Sequence, residues 1–182
     1  MSIDDFKDGL GEYAKDIKLN LGNVLSGIVA PDLTDNQRYG VALASAFATR
    51  NRAVVEAVAI EGMVTLTSEE REAAKAAATI MGMNNVYYRF LHLMGDKQYG
   101  QMPARLRMNV IGNPGIAKLD FELYCLAVSA INGCGMCMEA HVHEVVKAGL
   151  TPLGVQSAIR IAAVINAAAQ AHSIAQLEMV AA

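Results

Sequence analysis

The sequence is poor in several residue classes, and each shortage excludes something. It has 182 residues with no tryptophan, four prolines and only 18% charged residues. Asn166 interrupts the most apolar stretch, residues 161–169, and no run of 18 apolar residues exists, so no membrane span is expected. A net charge of −3 gives no reason to expect nucleic acid or an anionic membrane as a partner. The acidic first residues lack a long apolar run, so no secretory signal is predicted.

Cysteine is also scarce, and its placement is informative. The sequence has three cysteines, an odd number that does not suit a disulfide framework. Cys134 and Cys137 form a Cys-X-X-Cys motif, whereas Cys125 is interpreted as a small buried apolar residue. In a sequence without a signal peptide, this pattern predicts redox chemistry in the cytoplasm.

The alternation of apolar and polar residues that marks β-strands is almost absent, and alanine is abundant. Both features predict an all-α fold. The sequence is 53% hydrophobic, and burial of the surplus apolar surface between identical subunits is the simplest expectation.

Capping residues and breakers divide the chain into helices. Residues 95–115 are the least regular, with several glycines and prolines. The expected helices are a short one starting near Ser2, then Tyr13–Leu25, Gln37–Thr49, Asn51–Glu61, Thr67–Leu93, Leu119–Ile131, Cys134–Ala148 and Thr151–Met179.

The helices form a series that recurs along the chain. A shift of 84 residues places Ser45-Ala46 on Ser129-Ala130 and Leu66-Thr67 on Leu150-Thr151, without a gap. The sequence therefore predicts one domain over residues 1–182, built from two related helical repeats at approximately 34–95 and 118–179. The first repeat has an arginine and two alanines where the second has its two cysteines and a histidine.

Helical geometry selects one histidine as the partner of the thiols. The turn signal Asn132-Gly133 predicts a helix start that carries Cys134 in its first turn. At about 100° per residue, Cys137 and His141 share the face of Cys134, whereas His143 lies about 180° away. Thiols three residues apart can close a disulfide, and an imidazole one turn further on can take and return a proton.

The two cysteines have different expected roles. The helix N-terminus favours a thiolate at Cys134, whereas His141 is one turn from Cys137. Because a base must be within hydrogen-bond reach of the proton that it removes, the attacking thiolate is assigned to Cys137. Cys134 is then the resolving or exchanging thiol.

Several segments together resemble one family. They are residues 13–21, 81–86, 106–109, 113–115 and 128–134, with the spacing Glu…Cys-X-X-Cys-X-X-X-His from Glu122 to His141. Over nearly its whole length, the chain resembles the alkyl hydroperoxide reductase AhpD family of the carboxymuconolactone decarboxylase-like superfamily. The resemblance implies an all-helical, two-repeat subunit that assembles as a homotrimer.

The resemblance also implies an activity. Family members take electrons from dihydrolipoamide, on a lipoylated dihydrolipoamide acyltransferase served by dihydrolipoamide dehydrogenase, without a tightly bound cofactor. They pass the electrons to the peroxiredoxin AhpC and to hydroperoxides. Cys137 matches the peroxide-reacting cysteine, and Cys134 matches its partner, which exchanges with lipoyl and AhpC thiols. Glu122 and His141 match the proton relay, in which a desolvated Glu122 would orient His141.

One position departs from the pattern of some family members. Met136 stands where they carry a second relay histidine between the cysteines. A thioether cannot titrate or donate a proton, so peroxide turnover is expected to be slower than in a histidine-bearing relative. The other methionines considered, Met81, Met83 and Met94, are interpreted as core or trimer packing.

The prediction is a lipoyl-dependent thiol–disulfide reductase and peroxidase of antioxidant defence. Two alternatives stay open. One is a non-redox, carboxymuconolactone decarboxylase-like enzyme, against which the paired thiols argue. The other is a zinc-stabilised or redox-sensing interaction module; zinc would need a fourth ligand besides Cys134, Cys137 and His141.

Overall fold

The structure is a computed structural model that describes residues 1–181, with side chains up to Met179. Within these residues the chain forms ten α-helices, a 3-10 helix at Glu12–Ala14, and no strand. The all-α prediction is confirmed, and only Ala182 of the predicted domain lies outside the described residues. The α-helices are α1 Ile3–Asp8, α2 Lys15–Leu21, α3 Asp35–Thr49, α4 Arg52–Gly62, α5 Ser68–Met94, α6 Lys97–Gln101, α7 Asn109–Gly112, α8 Lys118–Ile131, α9 Gly135–Lys147 and α10 Pro152–Ala181.

Side-chain caps start the long helices where the sequence predicts. The Thr34 hydroxyl accepts a hydrogen bond from the Gln37 backbone N–H at 3.2 Å and begins α3. Thr67 and Glu70 form the same reciprocal capping box at the start of α5. Each such cap stabilises a helix by about 1 kcal/mol because it satisfies N–H groups that have no partner within the helix.

The helix predicted over Tyr13–Leu25 is wrong at both ends. The α-helix spans only Lys15–Leu21, after the 3-10 turn. Gly22 ends it, and turns follow up to residue 33. Glycine and asparagine, at positions 22 and 23, are poor helix formers, and Val24 reaches the core from a turn instead.

The core lies where α3, α8 and α10 pack together. Residues 121–129 of α8 are all buried, so this helix lies in the middle of the domain. Gly40 of α3 allows the close crossing, because a Cβ atom there would lie 2.0 Å from the Tyr124 hydroxyl oxygen. The consequence for the site is that α8 carries Glu122 into the interior.

One segment of the described residues, Pro152–Met179 of α10, is long and apolar enough to cross a membrane. In the structure this helix packs against α3 and α8, and Ile161, Ile165 and Ala168 are buried there. A core helix of this length and composition gives the same signal as a membrane span.

The starts of the long helices recur within one residue of the 84-residue spacing of the two-repeat prediction. α5 and α10 begin at Ser68 and Pro152, 84 residues apart. α3 and α8, like α4 and α9, begin 83 residues apart. The relatedness of the two halves stays a prediction, but their three long helices have matching order and length.

Candidate active site

The turn between α8 and α9 positions the first cysteine. Gly133 adopts a φ of +70°, a conformation in which a Cβ atom would be strained. Cys134 follows as the N-cap of α9, so the prediction that it lies in the first turn is wrong by one position. Its sulfur accepts a hydrogen bond from the Cys137 backbone N–H at 3.3 Å. The Cys134 sulfur therefore lies at the positive end of the helix dipole.

Cys134 and Cys137 are joined in a disulfide, with their Cα atoms 5.3 Å apart. Cys134 has 0% of its surface exposed, whereas Cys137 has 6%. Cys137 also lines a cavity that Cys134 does not line. A molecule in this cavity therefore meets Cys137 and not Cys134.

His141 and Glu122 form a buried pair beside the disulfide. His141 Nδ1 lies 2.7 Å from Glu122 Oε2, and the two residues come from α9 and α8. The structure thus places the carboxylate in position to orient the ring, and His141 lines the same cavity as Cys137, but the ring makes no hydrogen bond to either cysteine sulfur. His143, which the spacing rejected, is exposed on another face of α9.

Met81 completes the surroundings of the imidazole. Its sulfur lies 3.2 Å from His141 Nε2, and its side chain is buried on α5. A thioether only accepts hydrogen bonds, so a hydrogen bond at this contact requires a hydrogen on Nε2. The interpretation of Met81 as packing is therefore incomplete. Its position within residues 81–86, which carry the family resemblance, is the one sequence signal for a role at the site.

The cavity beside Cys137 has a volume of about 280 Å³ and a mostly apolar wall. The cysteine sulfur and the His141 ring are its chemically reactive groups. Such a cavity suits a small organic molecule with an apolar body. The lining residues are Met81, Asn84, Tyr88, Met108, Ile111, Met136, Cys137, Ala140 and His141.

A hydrogen-bond network fixes the turn that carries the disulfide onto α5. Asn85 Nδ2 donates to Ser129 Oγ at 2.9 Å, and Asn132 Nδ2 donates to Asn85 Oδ1 at 2.9 Å. Arg89 donates to the carbonyl oxygen of Asn132 at 2.7 Å. Sequence reasoning missed this network, because its members come from two distant segments.

The third cysteine is separate from this chemistry. Cys125 is a free thiol buried in α8. Burial, with a smaller contribution from the Glu122 charge, raises the pKa of the Cys125 thiol well above its usual value. Cys125 therefore stays a neutral thiol, as its interpretation as a buried apolar residue predicts.

The corresponding place in the first repeat has an open cleft of about 740 Å³ but no thiol. It is lined by residues of α4, of α10 and of the turn between α3 and α4, with Ala53 where the 84-residue shift places Cys137. Among the side chains that the structure describes, no three His, Cys, Asp or Glu residues are placed to hold a metal ion. The reactive groups are therefore concentrated in the second repeat.

Comparison with known proteins identifies the family. A Coxiella burnetii protein named "Alkyl hydroperoxide reductase AhpD" is 53% identical over 172 residues, which are 94% of this chain and 97% of the relative. The chain belongs to the alkyl hydroperoxide reductase AhpD family. Two further relatives with the same name agree: one from Methylocella silvestris is 53% identical over 97% of this chain and 98% of its own. One from Brucella abortus is 51% identical over 98% of this chain and 100% of its own.

The AhpD assignment confirms the resemblance predicted from the sequence. A family profile described as "Carboxymuconolactone decarboxylase family" also matches residues 97–178. This match covers α6 to most of α10, including Cys134, Cys137 and His141. Met81 and Asn85, which complete the site in this AhpD-family chain, lie outside the matched residues.

Proposed function

We propose that this AhpD-family protein is a lipoyl-dependent alkyl hydroperoxide reductase of antioxidant defence. The observation that carries the proposal is the Cys134–Cys137 disulfide, with Cys137 on an apolar cavity beside the His141–Glu122 pair. The name of the relatives, alkyl hydroperoxide reductase, supports a peroxide as the oxidant.

In the oxidative half-reaction, the Cys137 thiolate attacks the terminal oxygen of the hydroperoxide. An S–O bond forms, the O–O bond breaks, and the sulfur loses two electrons to the peroxide. The leaving alkoxide takes a proton from His141 and departs as the alcohol. The Cys134 thiol then condenses with the sulfenic acid of Cys137, which forms the disulfide and releases water.

In the reductive half-reaction, a dihydrolipoyl thiolate attacks the Cys137 sulfur, because Cys137 lines the cavity and Cys134 does not. The Cys134 thiolate leaves, and the N-terminus of α9 stabilises its charge. The second lipoyl thiol then resolves the mixed disulfide. This route differs from the expectation that Cys134 exchanges with lipoyl and AhpC thiols, since Cys134 has no exposed surface.

The same exchange at Cys137 delivers electrons to AhpC. The proposed donor is protein-bound dihydrolipoamide, on a lipoylated acyltransferase recycled by dihydrolipoamide dehydrogenase, with no tightly bound cofactor. A dithiol that must be reduced in every cycle requires a reducing compartment, which supports the cytoplasm as its location.

The proposed quaternary structure is a homotrimer. Support comes from an apolar stripe on the outer face of α5, where Val86, Phe90, Leu93 and Met94 are exposed. These residues recur at helical spacing and form one continuous face. An exposed apolar face of this kind is typical of a protein–protein contact.

The deciding experiment couples the protein to NADH through dihydrolipoamide dehydrogenase and lipoamide, with cumene hydroperoxide as oxidant. Wild-type protein is expected to sustain NADH oxidation, faster when AhpC is added. The Cys137→Ser variant is expected to lose NADH oxidation, whereas the matched control variant Cys125→Ala is expected to keep it. Equal rates for wild type and Cys137→Ser would refute the proposal.

A second candidate function rests on the decarboxylase description of the matching profile. Decarboxylation of a lactone acid that survives the double change Cys134→Ser and Cys137→Ser would support this non-redox reaction. A zinc-stabilised or redox-sensing module would instead show stoichiometric zinc in the purified protein and no thiol–disulfide turnover.

A further inference from the structure

Asn84 lines the Cys137 cavity and carries a buried polar atom that has no partner among the described residues. Its side chain is only 4% exposed, and its Oδ1 atom has no hydrogen-bond partner among the described residues. Asn84 lines the same cavity as Cys137 and His141. Most buried carbonyl oxygens are paired, so this one requires an explanation.

The neighbouring Asn85, in contrast, has hydrogen-bond partners for both ends of its carboxamide. Asn85 is equally buried, but its amide donates to Ser129 and its oxygen accepts from Asn132, both at 2.9 Å. Asn85 is therefore explained by the network that holds the α8–α9 turn. Nothing in the fold explains Asn84 in this way.

Besides Cys137 and His141, the cavity wall carries the Tyr88 hydroxyl, which lies 3.9 Å from the Met108 sulfur and makes no hydrogen bond to Asn84. Four of the lining residues are Met81, Met108, Met136 and Ile111, which have no strong hydrogen-bonding group. A few polar groups in a mostly apolar pocket are the arrangement by which proteins orient a ligand. The missing partner is thus expected to be a polar group of the substrate.

We infer that Asn84 binds the hydroperoxide group of the substrate. This inference rests on the proposed function and specifies its substrate-binding step. The Oδ1 atom accepts a hydrogen bond from the terminal O–H, and the Nδ2 group donates to the inner oxygen, which carries the organic substituent. The substituent lies against the methionine wall, so the substrate class is small organic hydroperoxides with an apolar body.

This contact acts where charge develops. When Cys137 attacks the terminal oxygen, the O–O bond breaks and negative charge accumulates on the inner oxygen. A donor aimed at that oxygen binds the transition state more tightly than the ground state. His141 then protonates the same oxygen to give the alcohol, and the terminal hydroxyl remains on sulfur as the sulfenic acid.

Two variants test the inference. Asn84→Leu keeps the volume and removes both hydrogen-bonding groups, and Asn84→Asp keeps the acceptor. Each variant is reduced beforehand and mixed with cumene hydroperoxide in a single turnover. In Asn84→Leu, the rate at which cumene hydroperoxide oxidises the reduced protein is expected to fall on the order of 10- to 100-fold. Its thermal stability is expected to be unchanged or higher, because an unsatisfied buried polar group has been removed.

The Asn84→Asp variant adds a pH readout that a purely structural role would not produce. A carboxylate at this position repels the thiolate and cannot donate, whereas a protonated carboxyl group donates and accepts like the amide. The rate relative to wild type at the same pH is therefore expected to rise as the pH falls.

An internal control separates this inference from the function on which it depends. Reduction of the disulfide by dihydrolipoamide uses the same cavity but breaks no O–O bond, so Asn84→Leu is expected to lose clearly less in that half-reaction than in the oxidation by hydroperoxide. A wild-type protein that does not react with cumene hydroperoxide would overturn the proposed function and this inference together. Active wild-type protein with an equally fast Asn84→Leu variant would overturn the role of Asn84 alone.

Discussion

Three cysteines of this chain have three different surroundings. Cys125 is enclosed in the core, Cys134 caps a helix, and Cys137 touches a cavity. A reactive thiolate needs stabilisation of its charge and access to a reactant. Cys134 has the first at the helix N-terminus, Cys137 has the second at the cavity, and Cys125 has neither. Residue type alone does not distinguish the three thiols, but burial and the helix N-terminus do.

The Cys125 environment predicts a specific loss of stability in alkali. Because burial raises its pKa in the folded state, only the unfolded state ionises as the pH passes the usual value of 9.0. The folded state then binds more protons, so stability is complete below pH 9 and falls as the pH rises. Between pH 8 and pH 10 the free energy of unfolding is expected to fall by about 1.4 kcal/mol less in Cys125→Ala than in wild type.

Urea unfolding of the disulfide form at the two pH values measures this difference. Tyr124, whose pKa burial also raises, contributes mainly above pH 10. Equal alkaline losses in wild type and Cys125→Ala would contradict the prediction.

The Glu122–His141 contact predicts an effect on the rate at which hydroperoxide oxidises the reduced protein. Glu122→Gln keeps the side-chain shape but removes the negative charge next to Nδ1. The imidazole then loses the partner that stabilises its charged form, and the peroxide rate is expected to fall on the order of tenfold to a hundredfold. Stopped-flow oxidation of the reduced protein measures this rate.

Glu144→Gln is the matched control for Glu122→Gln. Glu144 lies on α9, but it pairs with Lys118 at the surface, 3.0 Å away. Its replacement is expected to leave the peroxide rate within about twofold, since surface ion pairs contribute little. A similar fall in both variants would argue against a specific role for Glu122.

At the scale of elements, α5 organises the site although it carries none of the four predicted residues. One face of this helix presents Met81, Asn84, Asn85 and Tyr88, at spacings of three and four residues. These residues contact the imidazole, the cavity and the α8–α9 turn. The first predicted repeat therefore contributes residues to the candidate site in the second.

The Asn85 network predicts how much the contact between α5 and the α8–α9 turn contributes to the stability of the fold. Asn85→Ala leaves the buried Ser129 hydroxyl and the Asn132 amide without their partner. The free energy of unfolding is expected to fall by about 2–4 kcal/mol, because unsatisfied buried polar groups are costly. Urea titration measures it, and the exposed Asn113→Ala is expected to change it by less than about 0.5 kcal/mol. Comparable effects in the two variants would mean that the network contributes nothing.

At the scale of the whole molecule, the apolar residues lie in two kinds of place, the core and an exposed surface. Much of it fills the core between α3, α8 and α10. The rest includes the exposed stripe on α5, where Leu93 is 74% exposed. An exposed apolar face of this kind is where a subunit contact would bury apolar surface.

The exposed apolar stripe on α5 predicts that one charged side chain introduced into it prevents trimer formation. Wild-type protein is expected to sediment as a trimer and Leu93→Glu as a monomer, because a charge buried without a partner is strongly unfavourable. Ile28→Glu is the control, since Ile28 is 92% exposed but lies outside the stripe. Sedimentation velocity distinguishes the species. A monomeric wild type, or a trimeric Leu93→Glu, would contradict the assignment of this surface.

Local features of the sequence predicted most helices correctly. Thr34, Thr67 and the Pro152 start act through hydrogen bonds and dihedral preferences within a few residues, so their effect is readable from the chain itself. The helix over Tyr13–Leu25 was wrong, because Gly22 ended it and the burial of Val24 did not require a helix.

The sequence by itself determined that the fold is helical and that two cysteines and a histidine share one helix face, because these depend on spacing along one segment. Only the tertiary structure decided which sulfur a reactant can reach, and that Met81 and Asn84 surround the imidazole and the cavity. Those facts depend on how α5 packs against α8 and α9. Such packing joins residues about 50 positions apart, at distances that no local pattern encodes.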